Sequence, residues 1–196
     1  AMRVFNLGRA RTIAYRGLAV NPNEHGLAIC ASECERSRGN IAKGWELYER
    51  RGKLSNALPR LGLPPAWDRV TPPTGPLLVC AEQGVGDEFI FLNCLPDLLE
   101  MVANVIVECD ERCLPLFRRT FPSARWIPRT VREITPGEHA WDYRSEMNGL
   151  MPSAHIMAAS LPALAQVALG RPAIKNGYLR VDTNEAKDWQ SWLASL

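Results

Sequence analysis

Residues 77–91, LLVCAEQGVGDEFIF, constrain the fold more than any other stretch of the chain. A short apolar run meets a turn carrying Gly84 and Gly86, and an aromatic-rich segment follows with Asp87 at its head. The pattern reads as a strand, a ligand- or phosphate-facing loop and a helix. Glycine permits positive φ and close backbone approach, and Asp is among the best residues at a helix start.

From Pro76 onward, short β-branched or apolar runs alternate with helical stretches: LLVCA, a helix after Asp87, NVIVEC, a helix over 111–120, then ARWIP. Such alternation predicts an α/β fold, a Rossmann-like three-layer parallel sheet with crossover helices. Pro96 falls within the first helical pattern, where it removes an amide donor and should break or kink the helix. WDYRSEM at 141–147 is expected to be a fourth strand and YLRV at 178–181 a last one. The tail NEAKDWQSWLASL is helical, with Trp189, Trp192, Leu193 and Leu196 as its apolar face.

Residues 1–52 read differently, as helices. Asn21-Pro22-Asn23 stops the first, and Gly39-Asn40 interrupts the next. In the helix that follows, Ile41, Trp45 and Tyr48 recur on one face. Residues 53–76 carry Pro59, Pro64, Pro65, Pro72, Pro73 and Pro76 with little periodicity and read as an extended linker. The expected organisation is a helical segment over 1–52, a linker over 53–76, an α/β domain over 77–181 and a helix over 182–196. Ala1 ahead of Met2 reads as a remnant of tag removal, so the chain is expected to be a piece of a longer protein.

Composition narrows the function classes. Twenty-three basic residues against 21 acidic ones leave a formal charge of +2, with the basic residues dispersed among acids. No polyanion-binding stripe is visible, so nucleic acid is not an expected partner. No apolar run approaches the ~20 residues of a membrane span, and the N-terminus lacks the pattern of a signal peptide, which points to the cytoplasm. Cysteines 30, 34, 80, 94, 109 and 113 do not form a secreted disulfide framework. The pairs Cys30/Cys34 and Cys109/Cys113 have i, i+4 spacing without a nearby His, so reduced thiols are expected, not a metal site.

In a doubly wound sheet, ligands bind beyond the carboxyl ends of the strands, so Gln83, Gly84, Gly86 and Glu88 are candidate binding residues. Asp87 has two readings: a helix cap, or a carboxylate able to take a proton from an attacking hydroxyl. The third glycine of the dinucleotide fingerprint is missing, and no cofactor is expected. Gln83 and Glu82 either contact a ligand or brace the turn. Asn148 and Ser153 bracket a Gly/Pro loop expected to face the same crevice, and His155, read as the start of an apolar helix, is a further crevice candidate. His139 and His155 lie in unlike contexts, which argues against a paired metal site.

Two resemblances rest on these motifs. AYRGLAVNP and the later GWELYERR resemble parts of a tetratricopeptide repeat, about one and a half repeats in all. PPAWDRV, AEQGVGDEFIFLNCLPDLL and VIVECDERCLPLFRR look like the region joining such repeats to a glycosyltransferase-like domain in large bacterial repeat proteins, the likeness covering residues 10–182. The chain is similar, more distantly, to the N-terminal half of the heptosyltransferases of lipopolysaccharide synthesis. The resemblance implies the acceptor-binding half of a GT-B glycosyltransferase, with Asp87 as the base. It also implies a sugar acceptor, a protein partner engaged by the repeats, and a nucleotide-sugar donor held by a second domain that YLRVDTNEAKDWQSWLASL leads into. The competing class is a non-catalytic interaction module built on the same repeats.

Overall fold

A computed structural model describes residues 6–53, 58–144, 149–169 and 177–196. The elements begin with α1 (Leu7–Val20), α2 (His25–Ser37), α3 (Ile41–Tyr48), β1 (Arg60–Leu61), β2 (Leu77–Cys80), α4 (Val85–Phe91) and α5 (Leu95–Met101). They continue with β3 (Val105–Cys109), α6 (Leu114–Thr120), β4 (Arg125–Pro128), β5 (Val131–Thr135) and β6 (Glu138–Asp142). The last are β7 (Ala154–Met157), α7 (Leu161–Leu169) and α8 (Thr183–Ala194). The chain divides into two compact units. One takes the described residues up to Pro59 together with α7 from Pro162, and the other takes Arg60–Leu161 and the described residues from Gly177.

In the first unit, Asn6 caps α1 by accepting the Arg9 N–H at 2.9 Å, and Gly39, at φ +85°, makes the turn between α2 and α3. Ala14, Ala31 and Leu47 form its core, with Tyr15, Leu18 and Cys30 packed around them. Gly44 leaves the space through which the Arg36 side chain passes. The Arg36 guanidinium then lies over the rings of Trp45 and Tyr48, at 4.5 and 4.9 Å.

The second unit is built on a four-stranded parallel sheet in the order β4-β3-β2-β7. β2 and β3 are buried along their whole length, which is why LLVC and VIVEC read as near-continuous apolar runs. Since β2, β3 and β4 lie side by side in chain order, crossovers of one hand leave their helices on a single face. On that face Phe117 of α6 stacks on Trp126 of β4, and Phe89 of α4 packs on Phe117, both with ring centroids 5.2 Å apart. The other face carries Leu78, Cys80, Ile106 and Ile127, which pack with Tyr143, Leu150, Leu63 and Trp141.

That second face corrects the expectation of crossover helices in both outer layers. Among the described residues it is covered by a second sheet in the order β1-β6-β5, in which β1 pairs parallel and β5 antiparallel with β6. Within residues 58–76, two short segments pair with strands. Arg60 pairs with Trp141, and Ala66 bridges to His155, with the Pro65 carbonyl accepting the His155 N–H at 2.9 Å. Proline is tolerated there because Pro65 contributes only its carbonyl, the inward amide of the segment being that of Trp67, which donates to the His155 carbonyl at 2.8 Å.

Residues 141–147 are not the fourth strand of the main sheet. Glu138–Asp142 belongs to β6, residues 145–147 lie outside the described residues, and the fourth parallel strand is β7. AHIM is a short apolar run that periodicity cannot assign to strand or helix, and pairing with β2 decides it. His155 accordingly sits within a strand and does not open a helix. Residues 178–181 form no strand either. Arg180 donates its N–H to Thr120 Oγ1 at 3.2 Å and accepts from Arg119 Nε at 2.9 Å, so side chains satisfy a backbone that would otherwise need a ladder. Pro96 stands at the first turn of α5, after a 3-10 turn over Leu92–Cys94 that ends α4.

Candidate functional site at the sheet's switch point

β3 and β7 flank β2 on opposite sides, so the chain order reverses at β2, where a doubly wound sheet opens a crevice at its carboxyl edge. The loop after β2 lies there, and α4 lies against the turn Ala158–Ser160 that follows β7. The left-handed residue of this loop is Gln83, at φ +65°, and not a glycine. Gly84 has φ −89° and occupies the N-cap of α4, whose first residue is Val85.

Asp87 therefore stands in the first turn of the helix and is not its cap. Its Oδ2 accepts the Gly84 N–H at 3.1 Å, while the Gly84 carbonyl accepts the Asp87 N–H at 3.0 Å. The carboxylate braces the loop it follows. A Cβ at Gly86 would meet nothing within 4 Å, and one at Gly84 would meet only Asp87 Oδ2, at 3.5 Å. Neither glycine is required by backbone angle or by packing, and both leave open space over the loop.

Glu88 is buried and holds the interior of the site. Its Oε2 accepts the Asp110 N–H at 2.9 Å. Its Oε1 accepts no hydrogen bond among the described residues and lies 3.5 Å from Arg129 Nη1. Burial pushes this carboxyl above the usual range. Asn148 lies outside the described residues. His155 is tied to the edge segment: the Pro64 carbonyl can only accept, so the 2.7 Å contact assigns the proton of the neutral ring to Nδ1. Ser153 Oγ accepts the Gly75 N–H at 2.9 Å and so closes a turn at the edge of the sheet.

A cluster that the sequence patterns did not single out stands under the same loop. Arg129, which follows β4, donates from Nη1 to the Gln83 carbonyl at 2.8 Å. Arg60 on β1 donates to the Ala81 carbonyl and to the Tyr143 hydroxyl oxygen. Each guanidinium lies beside a buried glutamate, Arg129 beside Glu88 and Arg60 beside Glu108, and both lie over the Trp141 ring, at 5.1 and 5.5 Å. Glu108 Oε2 accepts the Ala81 N–H at 2.8 Å and the Tyr143 hydroxyl at 3.0 Å. Burial pushes Glu108 up to about 7 against the pull of Arg60, the Tyr143 hydroxyl, the Ala81 amide and Arg129. The signal in the sequence was Glu108 itself, a carboxylate inside VIVEC, a run otherwise suited to burial on both faces.

Two arginines, each beside a buried glutamate, thus anchor two carbonyls of one loop, those of Ala81 and Gln83. Among the described residues, no group of three or more His, Cys, Asp or Glu side chains could hold a metal ion, and no helix is long and apolar enough to cross a membrane.

No family model matches the chain, and no solved structure matches it. Over 174 residues it is 29% identical to Protein FlbA of Caulobacter vibrioides, an alignment taking in 81% of this chain and 27% of that protein. The chain spans about a quarter of the length of the curated relative it matches.

Proposed function

We propose that this chain is the acceptor-side part of a GT-B-like glycosyltransferase from a bacterial repeat protein. Its helical unit recruits a protein partner in the manner of tetratricopeptide repeats, and a nucleotide-sugar donor is bound by a further domain. The observation that carries this reading is the loop after β2. It is braced by two buried Arg–Glu pairs at the switch point, and it bears two glycines that the fold does not need. Space kept free over a preorganised loop suits the close approach of a sugar hydroxyl, with Asp87 beside it as the base. The passage of Arg36 across Gly44 supports the repeat reading, since helical repeats stack through such small-residue contacts. Trp189, Trp192, Leu193 and Leu196, exposed on and beyond α8, offer the face on which the donor domain would join.

A second reading is favoured by one observation. Asp87 Oδ2 is already engaged by the Gly84 N–H, as in a purely structural cap. On that reading the α/β unit is a non-catalytic platform for protein binding.

The test is sugar transfer by the full-length protein from a panel of radiolabelled nucleotide sugars, comparing wild type with Asp87→Asn and Gly86→Gln. Both variants should stay folded and lose transfer at least a hundredfold. Full activity in both would remove this loop from the chemistry, and no transfer by the wild type from any donor would favour the platform.

A further inference from the structure

Glu108 is enclosed between the parallel sheet and the small sheet, with 2% of its surface exposed. Its nearest cation does not hydrogen-bond to it: Arg60 Nη1 stands 3.6 Å from Oε2 and is committed to the Tyr143 hydroxyl. The carboxylate is held by two neutral donors, the Ala81 amide and the Tyr143 phenol. Burial weighs against the ionised form in spite of Arg60, whereas a neutral carboxyl can still accept the same two bonds.

The groups that face it come from every neighbouring element. They are Arg60 from β1, the Cys80 thiol from β2 and the Ala81 amide just after it, Tyr143 from the segment after β6, and Arg129 from the turn after β4. Glu82 lies beyond Cys80, and Glu88 stands across Arg129.

We propose that Glu108 is a proton-operated latch between the two sheets. Neutral, it keeps β1 and the loop 81–84 closed on the parallel sheet, and ionised, it favours opening of this corner to water. One proton passes from the carboxyl to solvent buffer as the latch opens. Ala81 is held at both of its peptide groups, its N–H by Glu108 and its carbonyl by Arg60, so opening releases the start of the loop that carries Gln83 and Gly84.

The sign follows from linkage. The closed state binds the proton more tightly, with Glu108 titrating at about 7 there and near its ordinary 4.5 when open. Opening therefore grows as pH rises from 4.5 towards 7 and levels off above 7. Between pH 5.5 and 8.5 the open fraction should rise about thirtyfold.

Native-state hydrogen exchange, corrected for intrinsic rates, reads this at two amides: Ala81, which donates to Glu108, and Tyr143, which donates to the Leu61 carbonyl at 3.0 Å and reports on β1. Protection of both should fall about thirtyfold from pH 5.5 to 8.5, while that of Phe121 at the end of α6 stays level. Glu108→Gln should abolish the fall. A fall that survives Glu108→Gln would assign it to other groups and overturn the latch. Should Glu108→Gln not fold, the carboxyl ¹³C shift of Glu108 in the wild-type protein decides. Titration in step with the loss of Ala81 protection supports the latch, and titration in the ordinary carboxylate range overturns it.

Discussion

Arg129 donates from its guanidinium to the carbonyl oxygen of Gln83 at 2.8 Å, so the residue that closes β4 sets the position of the loop that follows β2. The same guanidinium stands 3.5 Å from buried Glu88, which ties α4 into the arrangement. Removing Arg129 would leave a buried carboxylate without its counter-charge. Arg129→Ala should therefore lower unfolding stability by about 3–5 kcal/mol, and Arg129→Met combined with Glu88→Gln should recover most of that loss. Urea denaturation of Arg129→Met, Glu88→Gln and the double variant measures the coupling. Purely additive losses would mean that the pair is not a unit.

Gly86 lies within α4 with nothing within 4 Å of where a Cβ would sit, and its φ is not in the left-handed region. Gly86→Ala should consequently raise stability by about 0.5–1 kcal/mol, because alanine loses less backbone freedom in a helix. A thermal melt checks this directly. A drop in stability would show that the glycine serves the fold, and would undercut its assignment to a ligand.

In the helical unit, Glu35 is the hub. Its oxygens accept from Asn40 Nδ2 at 2.6 Å, Arg11 Nε at 2.6 Å and the Tyr15 hydroxyl at 2.9 Å. The Asn40 and Arg11 bonds hold its carboxyl down to about 2. Because the folded value lies below the ordinary 4.5, the stabilisation is complete above pH 4.5 and disappears as pH falls towards 2. Arg11 is 42% exposed, so water screens the pair and weakens its contribution. Circular-dichroism melts from pH 2 to 6 should show this loss in the wild type and a flatter profile in Glu35→Gln.

Tyr178 fastens the segment ahead of α8. Its hydroxyl donates to the Phe89 carbonyl at 2.8 Å, and its ring stacks on Phe121 at 5.8 Å. Tyr178→Phe should cost about 1 kcal/mol through the lost hydrogen bond, and Tyr178→Ala about 3–5 kcal/mol through the lost ring. Equal effects in both variants, measured by chemical denaturation, would show that stacking contributes nothing.

The parallel order of β2, β3 and β4 was legible because buried parallel strands must be apolar throughout, and LLVC, VIVEC and RWIP stand between helical patterns. The break at Pro96 was legible for an equally local reason, the missing amide. The small sheet was less so. Gly137, at φ +82°, makes its turn, and β5 is exposed along its whole length and carries no alternation to read. Arg60 lay hidden among prolines, and its partners Ala81, Glu108 and Tyr143 are 21 to 83 residues away.

What local chemistry decides, the chain announces: where helices stop, which runs are apolar enough to be buried, and where a glycine-bearing loop separates strand from helix. Asp87 was marked in that way, but whether it caps, braces or reacts depends on where its oxygens point, and they point back to Gly84. The Arg–Glu pairs under the loop belong wholly to the folded state. Charge compensation in a low-dielectric interior is a property of distance in space, and residues that pair there leave no mark on their spacing along the chain.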